Sequence, residues 1–259
     1  MAKFVTTRLD EVEPAQGYAA PRAASGVRWS RRVSPEDYSI WMVVAELEDG
    51  AEIHWESSHS DDGVYVMQGE LDVDGRRCPT DGAVIVESDA SCVVRAVGPT
   101  RILHAGSVDN TPPADGLYGP PEPKGHGVHV VGEQGWYASG NRESVIARWF
   151  SDSTCATCRI ALFHVFRSEA GVKDIPHRHT QDELIYVLGG SIVMGRREFH
   201  PDTVLAIPAN MQYSLTSGRD GFAFVNFRAD VSTQHYAGDR EPELEGALAR
   251  GGRLVGDLR

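Results

Sequence analysis

The sequence has little of what several common protein classes require. Only four of its 259 residues are cysteine, which is too few for the disulfide framework of a small secreted protein. No uncharged apolar run approaches the roughly 18 residues of a membrane-spanning helix, and the N-terminal segment has no apolar core of the kind found in signal peptides. We therefore expect a cytoplasmic protein with no membrane partner.

Basic side chains are also scarce. The chain carries 25 lysine and arginine residues against 37 aspartate and glutamate residues, so its formal net charge is −12. An acidic surface repels phosphate groups, and nucleic acid is therefore excluded as an expected partner. The apolar fraction of 41% is ordinary for a globular protein.

Few segments of the sequence have a pattern typical of helices, whereas many have a pattern typical of strands. Short runs rich in valine, isoleucine, phenylalanine and tyrosine alternate with turn residues, which predicts an all-β sandwich or barrel. The clearest runs are Ser39–Leu47, Val64–Met67, Ala83–Val86, Ile160–Phe166, Leu184–Leu188, Thr203–Ile207 and Phe222–Phe227. The best helix candidate is Glu241–Arg250, which has an early proline and acidic first-turn residues. We expect residues 241–259 to form a short helical or disordered tail.

An internal repeat indicates two copies of one β module. Matching residues recur at offsets of 120 or 121 positions along the chain: Arg28-Trp29 with Arg148-Trp149, Gly75-Arg76-Arg77 with Gly195-Arg196-Arg197, Tyr65-Val66 with Tyr186-Val187, and Asp81 with Asp202. The segment between the copies, 111–127, is dense in proline and glycine and is unsuited to a central strand. The repeat therefore predicts an N-terminal module at 1–110, a linker at 111–127 and a C-terminal module at 128–240.

The second copy contains a cluster of potential metal ligands. His177 and His179 are two residues apart, so in an extended strand their side chains share one face about 6.6 Å apart. Glu183 follows after a short turn and can join them from the next strand. Two imidazoles and one carboxylate with open positions suit a non-haem Fe(II) centre, although Mn, Ni, Zn and Cu accept the same ligands. We expect one divalent metal per chain at His177, His179 and Glu183.

This segment resembles the first motif of the cupin superfamily. The defining positions of that motif are all present, at Gly171, His177, His179, Glu183 and Gly190. The resemblance implies two tandem jelly-roll (cupin) β-barrel modules, a bicupin similar to metal-dependent cupin dioxygenases. The N-terminal arm is expected to pack on the partner module.

The second cupin motif is only partly matched, by Asp202–Tyr213. Pro208 fits, but Tyr213 stands where the resemblance implies the last histidine ligand. One interpretation is a three-ligand site with additional open positions. The alternatives are that Tyr213 coordinates the metal, or that Gln212 reaches it through a shifted turn.

The first copy has no histidine at the corresponding positions. These positions are Glu56, Ser58, Asp62 and Cys92, so the metal motif is degenerate and we expect a vestigial pocket. His104 lies near the register of Asn226 in the second copy, where a buried polar role is expected. Cys155 and Cys158 have no second ligand pair at a zinc-site spacing, and we interpret them as incidental thiols of a turn.

The leading functional hypothesis is a mononuclear Fe(II) oxygenase or dioxygenase that binds O₂ and a small organic substrate. In this scheme Tyr213 and Gln212 position the substrate or ligate the metal, and His164 is a candidate proton carrier. Apolar walls from Ile185, Val187 and Phe224 exclude water. The alternatives are a redox-neutral metal-dependent isomerase, lyase or hydrolase, and a non-catalytic ligand-binding bicupin. Because the double-sheet form leaves strand edges that a second subunit can cover, we also expect a homodimer.

Overall fold

The structure is a computed structural model. It describes residues 2–56, 58–108, 127–132, 136–139, 145–151, 158, 160–229, 233–238, 243–244 and 253–254. Within these ranges the only helical element is the 3-10 turn Leu9–Glu11. No helix in this part of the chain is long and apolar enough to cross a membrane.

Strands make up nearly all of the regular structure. Those of the first half are β1 Val5–Arg8, β2 Ala23–Arg32, β3 Ile40–Trp55, β4 Asp62–Gln68, β5 Glu70–Val73, β6 Arg76–Pro79, β7 Ala83–Val86, β8 Cys92–Ala96 and β9 Thr100–Ser107. Those of the second half are β10 Val128–Val131, β11 Trp136–Ser139, β12 Val145–Ser151, β13 Ala161–Arg167, β14 His177–His179, β15 Glu183–Met194, β16 Arg197–Phe199, β17 Thr203–Ile207, β18 Thr216–Arg228, β19 Thr233–Tyr236, β20 Glu243–Leu244 and β21 Arg253–Leu254. Every apolar run identified in the sequence overlaps one of these strands, and the predicted all-β fold is confirmed.

Among the described residues the strands form two nine-stranded sheets and one small sheet. The first sheet has the order β10-β7-β4-β9-β3-β8-β5-β6, with β2 paired to β3. The second has the order β1-β17-β15-β18-β13-β12-β11-β21, with β16 paired to β15, and the small sheet is β14-β19-β20. Neighbours that are not consecutive in sequence, such as β7, β4 and β9, are the crossovers expected of a jelly roll.

Each half of the chain contributes a strand to the sheet of the other half. The N-terminal β1 pairs with β17, with Val5 opposite Ala206, so the N-terminal arm packs on the partner module as expected. In return β10 pairs with β7, with Val128 opposite Val86. Residues 128–131, assigned from the sequence to the second module, therefore lie in the first sheet, where this valine-rich segment covers the edge of β7.

The repeat found in the sequence corresponds to equivalent contacts in the two modules. The Tyr65 hydroxyl donates to Asp81 Oδ1 at 2.6 Å, and the Tyr186 hydroxyl donates to Asp202 Oδ1 at 2.5 Å. Both aspartates have a positive φ, 64° at Asp81 and 62° at Asp202. Aspartate tolerates this left-handed conformation better than most residues. The repeated tyrosine and aspartate therefore tie the same turn to the same strand in each module.

The alternation of side chains along the strands divides the core into three clusters. On β15, Leu184 and Tyr186 enter a cluster shared by both halves of the chain, here called the intermodule cluster. Ile185 and Val187 point to the other face, into the C-terminal barrel cluster. A separate N-terminal barrel cluster contains Leu71 and other residues of the first sheet. The two modules are thus joined by an apolar seam that also contains Tyr65.

The tail departs from the helix prediction at the residues that are described. Glu243–Leu244 and Arg253–Leu254 are strands, paired to β19 and β11 respectively. Pairing with a neighbouring strand outweighs the local propensity signals on which the helix prediction rested. The other residues of 241–259, and residues 111–126 of the predicted linker, lie outside the described residues.

Candidate metal centre

Three segments of the C-terminal module bring four polar side chains together. His177 and His179 lie in β14, Glu183 begins β15, and Tyr213 precedes β18. The backbones of His177 and Tyr213 form an isolated antiparallel bridge, with both N–H···O contacts at 2.9 Å. The exposed fractions are 7% for His177, 3% for His179, 1% for Glu183 and 7% for Tyr213. The two cupin-like motifs therefore converge in a buried site.

The two imidazoles lie side by side, with 5.0 Å between the ring centroids. His177 Nδ1 is 2.8 Å from the carbonyl oxygen of Ile175. A carbonyl can only accept, so Nδ1 carries the proton, and Nε2 would be the nitrogen that binds a metal. His179 Nε2 lies 3.1 Å from the Tyr213 hydroxyl oxygen.

Glu183 is held by hydrogen bonds on both carboxylate oxygens. The Tyr213 hydroxyl donates to Oε2 and the Asn226 amide donates to Oε1. Arg228 also donates to Oε1, from Nη2 at 2.7 Å and from Nε at 3.2 Å.

These contacts decide the charge of the Glu183 carboxyl. Burial by itself would raise its pKa. The positive charge of Arg228 opposes this most strongly, and His179 and the two side-chain hydrogen bonds add to it, so that the pKa is lowered to about 2. Glu183 is therefore an ionised ligand group at neutral pH.

The chemical types of these side chains are suitable for binding a divalent cation. Two imidazoles, a carboxylate and a phenol are ligands that Mn²⁺, Fe²⁺ and Zn²⁺ accept. His179 Nε2 is 3.9 Å from Glu183 Oε1, but the ligand atoms of His177, His179 and Glu183 do not all lie within 4.8 Å of one another. Tyr213 and Arg228 hold the carboxylate instead. We call His177, His179 and Glu183 the candidate metal centre. A cation bound there would compete with Tyr213 and Arg228 for the carboxylate of Glu183.

Other residues expected at the site divide into two groups. Ile185, Val187 and Phe224 lie in the C-terminal barrel cluster together with Tyr213, which fits their expected role as apolar walls. Gln212 is exposed, because alternation along the chain directs Tyr213 inward and its neighbour outward.

His164 is not brought to the candidate metal centre. Its strand neighbours Phe163 and Val165 enter the C-terminal barrel cluster, so His164 points to the opposite face of β13. There its ring lies 5.9 Å from the ring of Tyr65. The proton-carrier role expected from the sequence therefore has no support from position.

Sequence reasoning missed Arg228, the principal partner of Glu183. Arg228 is the last residue of β18 and stands directly opposite Glu183 in the β15–β18 pairing. Its guanidinium is almost completely buried, with 2% of the side chain exposed. The signal available in the sequence was an arginine directly after the mostly apolar run Phe222–Phe227, but its partner follows only from the strand register.

The first module contains a comparable buried carboxylate but no such set of histidines. Asp62 stands opposite Val86 just as Glu183 stands opposite Ile207, 121 positions later in both strands. At the other corresponding positions, Glu56 and Ser58 are exposed and Cys92 is half-buried.

Asp62 is instead neutralised by neighbouring side chains. Arg22 donates to both of its oxygens, at 2.7 and 2.9 Å, and Trp55 Nε1 donates at 2.8 Å. His104 Nε2 lies 3.2 Å away, in the buried polar role expected of it. His104 faces Val64 as Asn226 faces Ile185 in the second module. The pocket of the first module is therefore filled by an internal ion pair.

Solved structures similar to this chain include several oxalate decarboxylases. A single-substitution variant of the Bacillus subtilis enzyme matches over 90% of this chain and 78% of its own, with a TM-score of 0.62 and 14% identity. The Lactobacillus farciminis enzyme in complex with formate matches over 92% and 89%, with a TM-score of 0.66 and 12% identity. These neighbours are two-domain members of the cupin superfamily. The chain is a bicupin in fold.

A further Bacillus subtilis oxalate decarboxylase structure, one used to study Mn(II) centres, matches this bicupin with a TM-score of 0.60 and 16% identity over 90% of the chain and 78% of its own. No protein-family model matches the sequence, and no curated protein matches it significantly. Identities of this size show the bicupin fold alone, and the chemistry has to be argued from the residues.

Proposed function

We propose that this bicupin is a metal-dependent lyase that removes CO₂ from a small carboxylic acid at the candidate metal centre, with Mn²⁺ as the cation. The observation that carries the proposal is the burial of two imidazoles and a carboxylate beside the guanidinium of Arg228. The solved neighbours add support, because they are decarboxylases and one was used to study Mn(II) centres.

His177, His179 and Glu183 would hold the cation. Bound there, Mn²⁺ would act as a Lewis acid that holds a substrate carboxylate and stabilises the charge developing on it. Tyr213 could serve as a fourth ligand or leave that position to the substrate, and both interpretations made from the sequence stay open.

The surrounding residues would orient the substrate and manage one proton. Arg228 carries a guanidinium, the group best suited to a carboxylate, and it would bind a substrate carboxylate if Glu183 were held by the cation. Loss of CO₂ leaves an electron pair on the substrate carbon, which a proton must take up. The Tyr213 hydroxyl, already donating to Glu183, is the positioned proton source. Ile185, Val187 and Phe224 keep water from the site.

The Fe(II) oxygenase expected from the sequence stays a prediction that the solved neighbours do not support, since they are lyases. Non-catalytic ligand binding is the other outcome left to experiment. The homodimer also stays a proposal, and sedimentation of the purified chain will test it.

Metal content tests the ligand assignment. Protein produced with added Mn²⁺ is expected to contain one metal ion at the candidate metal centre, and His177→Ala should lose at least 90% of it because a ligand is removed. His200→Ala is the matched control, since His200 is exposed in the same module. Elemental analysis after gel filtration gives the answer, and a His177→Ala protein with unchanged metal content refutes the assignment.

Product analysis tests the reaction class. The Mn²⁺-loaded protein should release CO₂ from one member of a panel of dicarboxylic and 2-oxo acids without stoichiometric consumption of O₂. Consumption of one O₂ per turnover would instead establish the oxygenase.

Tyr213→Phe should keep the metal and lose most of kcat if Tyr213 delivers the proton, and a variant with normal kcat would contradict that role.

A further inference from the structure

A second group of metal-ligating side chains lies away from the candidate metal centre. Glu87 follows β7, His129 lies in β10, and Cys158 precedes β13. Their ligand atoms all lie within 4.8 Å of one another, and no other group of three His, Cys, Asp or Glu residues meets this condition among the residues that the structure describes. Chain segments from both halves of the molecule meet at this point.

The distances suit a tetrahedral ion. Glu87 Oε1 is 2.7 Å from His129 Nε2 and 3.5 Å from Cys158 Sγ. Zinc bonds of about 2.1 Å to nitrogen or oxygen and about 2.3 Å to sulfur place tetrahedral ligand atoms roughly 3.3–3.7 Å apart. The Cys158 sulfur is thus already at a suitable distance from Glu87 Oε1, whereas the imidazole of His129 and the carboxylate of Glu87 need to separate by about 0.6–1.0 Å.

Burial and charge favour a cation at this point. The Glu87 side chain is fully buried, whereas 23% of the His129 side chain is exposed to solvent. Gly127 N–H donates to Glu87 Oε2 at 3.1 Å, and this amide holds the second carboxylate oxygen. A divalent ion at this point would add positive charge beside the buried carboxylate of Glu87, which favours the ionised form of that group.

The state of the sulfur decides when the ion can bind. Cys158 is disulfide-bonded, which corrects the expectation of an incidental thiol at this position, and its sulfur has no thiolate to offer in this state. Reduction by a dithiol breaks the S–S bond, transfers two electrons and two protons to the two sulfurs, and leaves the reductant as its own disulfide. Binding of Zn²⁺ then releases the proton of the Cys158 thiol, because the thiolate is the ligand.

We propose that Glu87, His129 and reduced Cys158 form a redox-gated Zn²⁺ site between the two modules. Zinc bound there links β7 and β10 of the first sheet to the segment that leads into β13. Oxidation of Cys158 releases the ion. The site is separate from the candidate metal centre and does not depend on the proposed lyase activity.

The test uses the full-length protein and Co²⁺, whose thiolate charge-transfer absorption reports a sulfur ligand. Only the second site contains sulfur, because the candidate metal centre has imidazole, carboxylate and phenol ligands. The reduced wild type and Cys92→Ser are expected to show the thiolate band. Cys158→Ser should lose it, and the disulfide form of the wild type should lack it. Cys92→Ser is the matched control, because Cys92 is a free cysteine.

Two further variants keep the test decisive if Cys158→Ser misfolds. In the His177→Ala background, which removes a ligand of the candidate metal centre, His129→Ala and Glu87→Gln should weaken Zn²⁺ binding by the reduced protein at least tenfold, measured by competition with a chromophoric chelator. His177→Ala should leave the thiolate band unchanged even if the proposed function fails. A reduced wild type without the band, a band in the disulfide form, or Zn²⁺ affinity unaffected by His129→Ala would each overturn the proposal.

Discussion

At the scale of single residues, each module contains a buried carboxylate whose charge must be compensated. Asp62 and Glu183 occupy equivalent positions in the two modules, and each is neutralised by an arginine from another segment, Arg22 and Arg228. The arginines are not equivalent in the repeat, since Arg22 precedes β2 and Arg228 ends β18. The same requirement for charge compensation was therefore met by different residues in the two modules.

Removing Arg22 should leave the carboxylate of Asp62 buried without its main counter-charge. We expect Arg22→Ala to lower the free energy of unfolding by about 3–5 kcal/mol, the usual cost of breaking a buried ion pair. Arg95→Ala is the control, because 60% of the Arg95 side chain in its pair with Glu52 is exposed and such pairs contribute about 1 kcal/mol or less. Urea unfolding measures both variants, and equal losses would contradict the argument.

His164 should make stability depend on pH. Burial, aided by Arg148 and partly opposed by Asp81, lowers the pKa of His164 from 6.5 to about 4. Because the unfolded chain then binds a proton more readily than the folded one, the stabilising contribution is complete above pH 6.5 and is lost as the pH falls towards 4. The shift corresponds to at most about 3 kcal/mol.

The comparison with His164→Leu isolates this group. Between pH 6.5 and 4 the wild type should lose up to about 3 kcal/mol more unfolding free energy than the variant, and above that range the two curves should run parallel. Urea titrations at several pH values give the difference, with His200→Leu expected to follow the wild type. Parallel curves for His164→Leu throughout would show that His164 does not titrate as stated.

At the scale of elements, glycines permit a close approach where β15 and β18 change register. The pairing shifts between Gly190 and Ile192, and Gly190 has a φ of +60° with Gly221 O only 2.2 Å from where a Cβ would lie. The last glycine of the cupin-like motif is thus required by backbone contact. Gly221 itself has a φ of +74°, so both strands depend on glycine at this bulge.

Gly221→Ala should be much more costly than a glycine replacement in open space. Its Cβ would lie 2.0 Å from Arg167 O, whereas Gly195, with a φ of +61°, has nothing within 4 Å. We expect Gly195→Ala to cost about 1–2 kcal/mol for the left-handed backbone alone, and Gly221→Ala to cost about 2–5 kcal/mol because packing strain is added. Thermal unfolding of the two variants distinguishes them, and similar costs would argue against the close approach.

At the scale of the whole molecule, the two modules are joined by exchanged strands and a shared core. Leu162 shows the closeness of this contact, since a Cβ on Gly63 of the first module would lie 2.8 Å from Leu162 Cδ2. The Tyr38 hydroxyl also donates to the carbonyl of Ala206 at 2.8 Å. Loss of packing in the intermodule cluster should therefore reduce the stability of both modules.

Leu162→Ala tests this coupling. The substitution should lower the unfolding free energy by about 2–5 kcal/mol and reduce amide hydrogen-exchange protection in both β7 and β17. Leu71→Ala is the matched control, because Leu71 is equally buried but belongs to the N-terminal barrel cluster. Its effect should be concentrated in the first sheet. If Leu162→Ala leaves β7 fully protected, the modules are energetically independent.

The sequence by itself determined the all-β class, the two modules and the positions of His177, His179, Glu183 and Tyr213. These features depend on alternation within strands, turn residues and a constant repeat offset, all of which are readable over short distances. Tertiary structure alone decided which side chains meet. It placed Arg228 on Glu183, turned His164 away from the site and brought Glu87, His129 and Cys158 together. The reason is that contacts between distant segments depend on strand register and on the packing of one sheet against another, which no local pattern encodes.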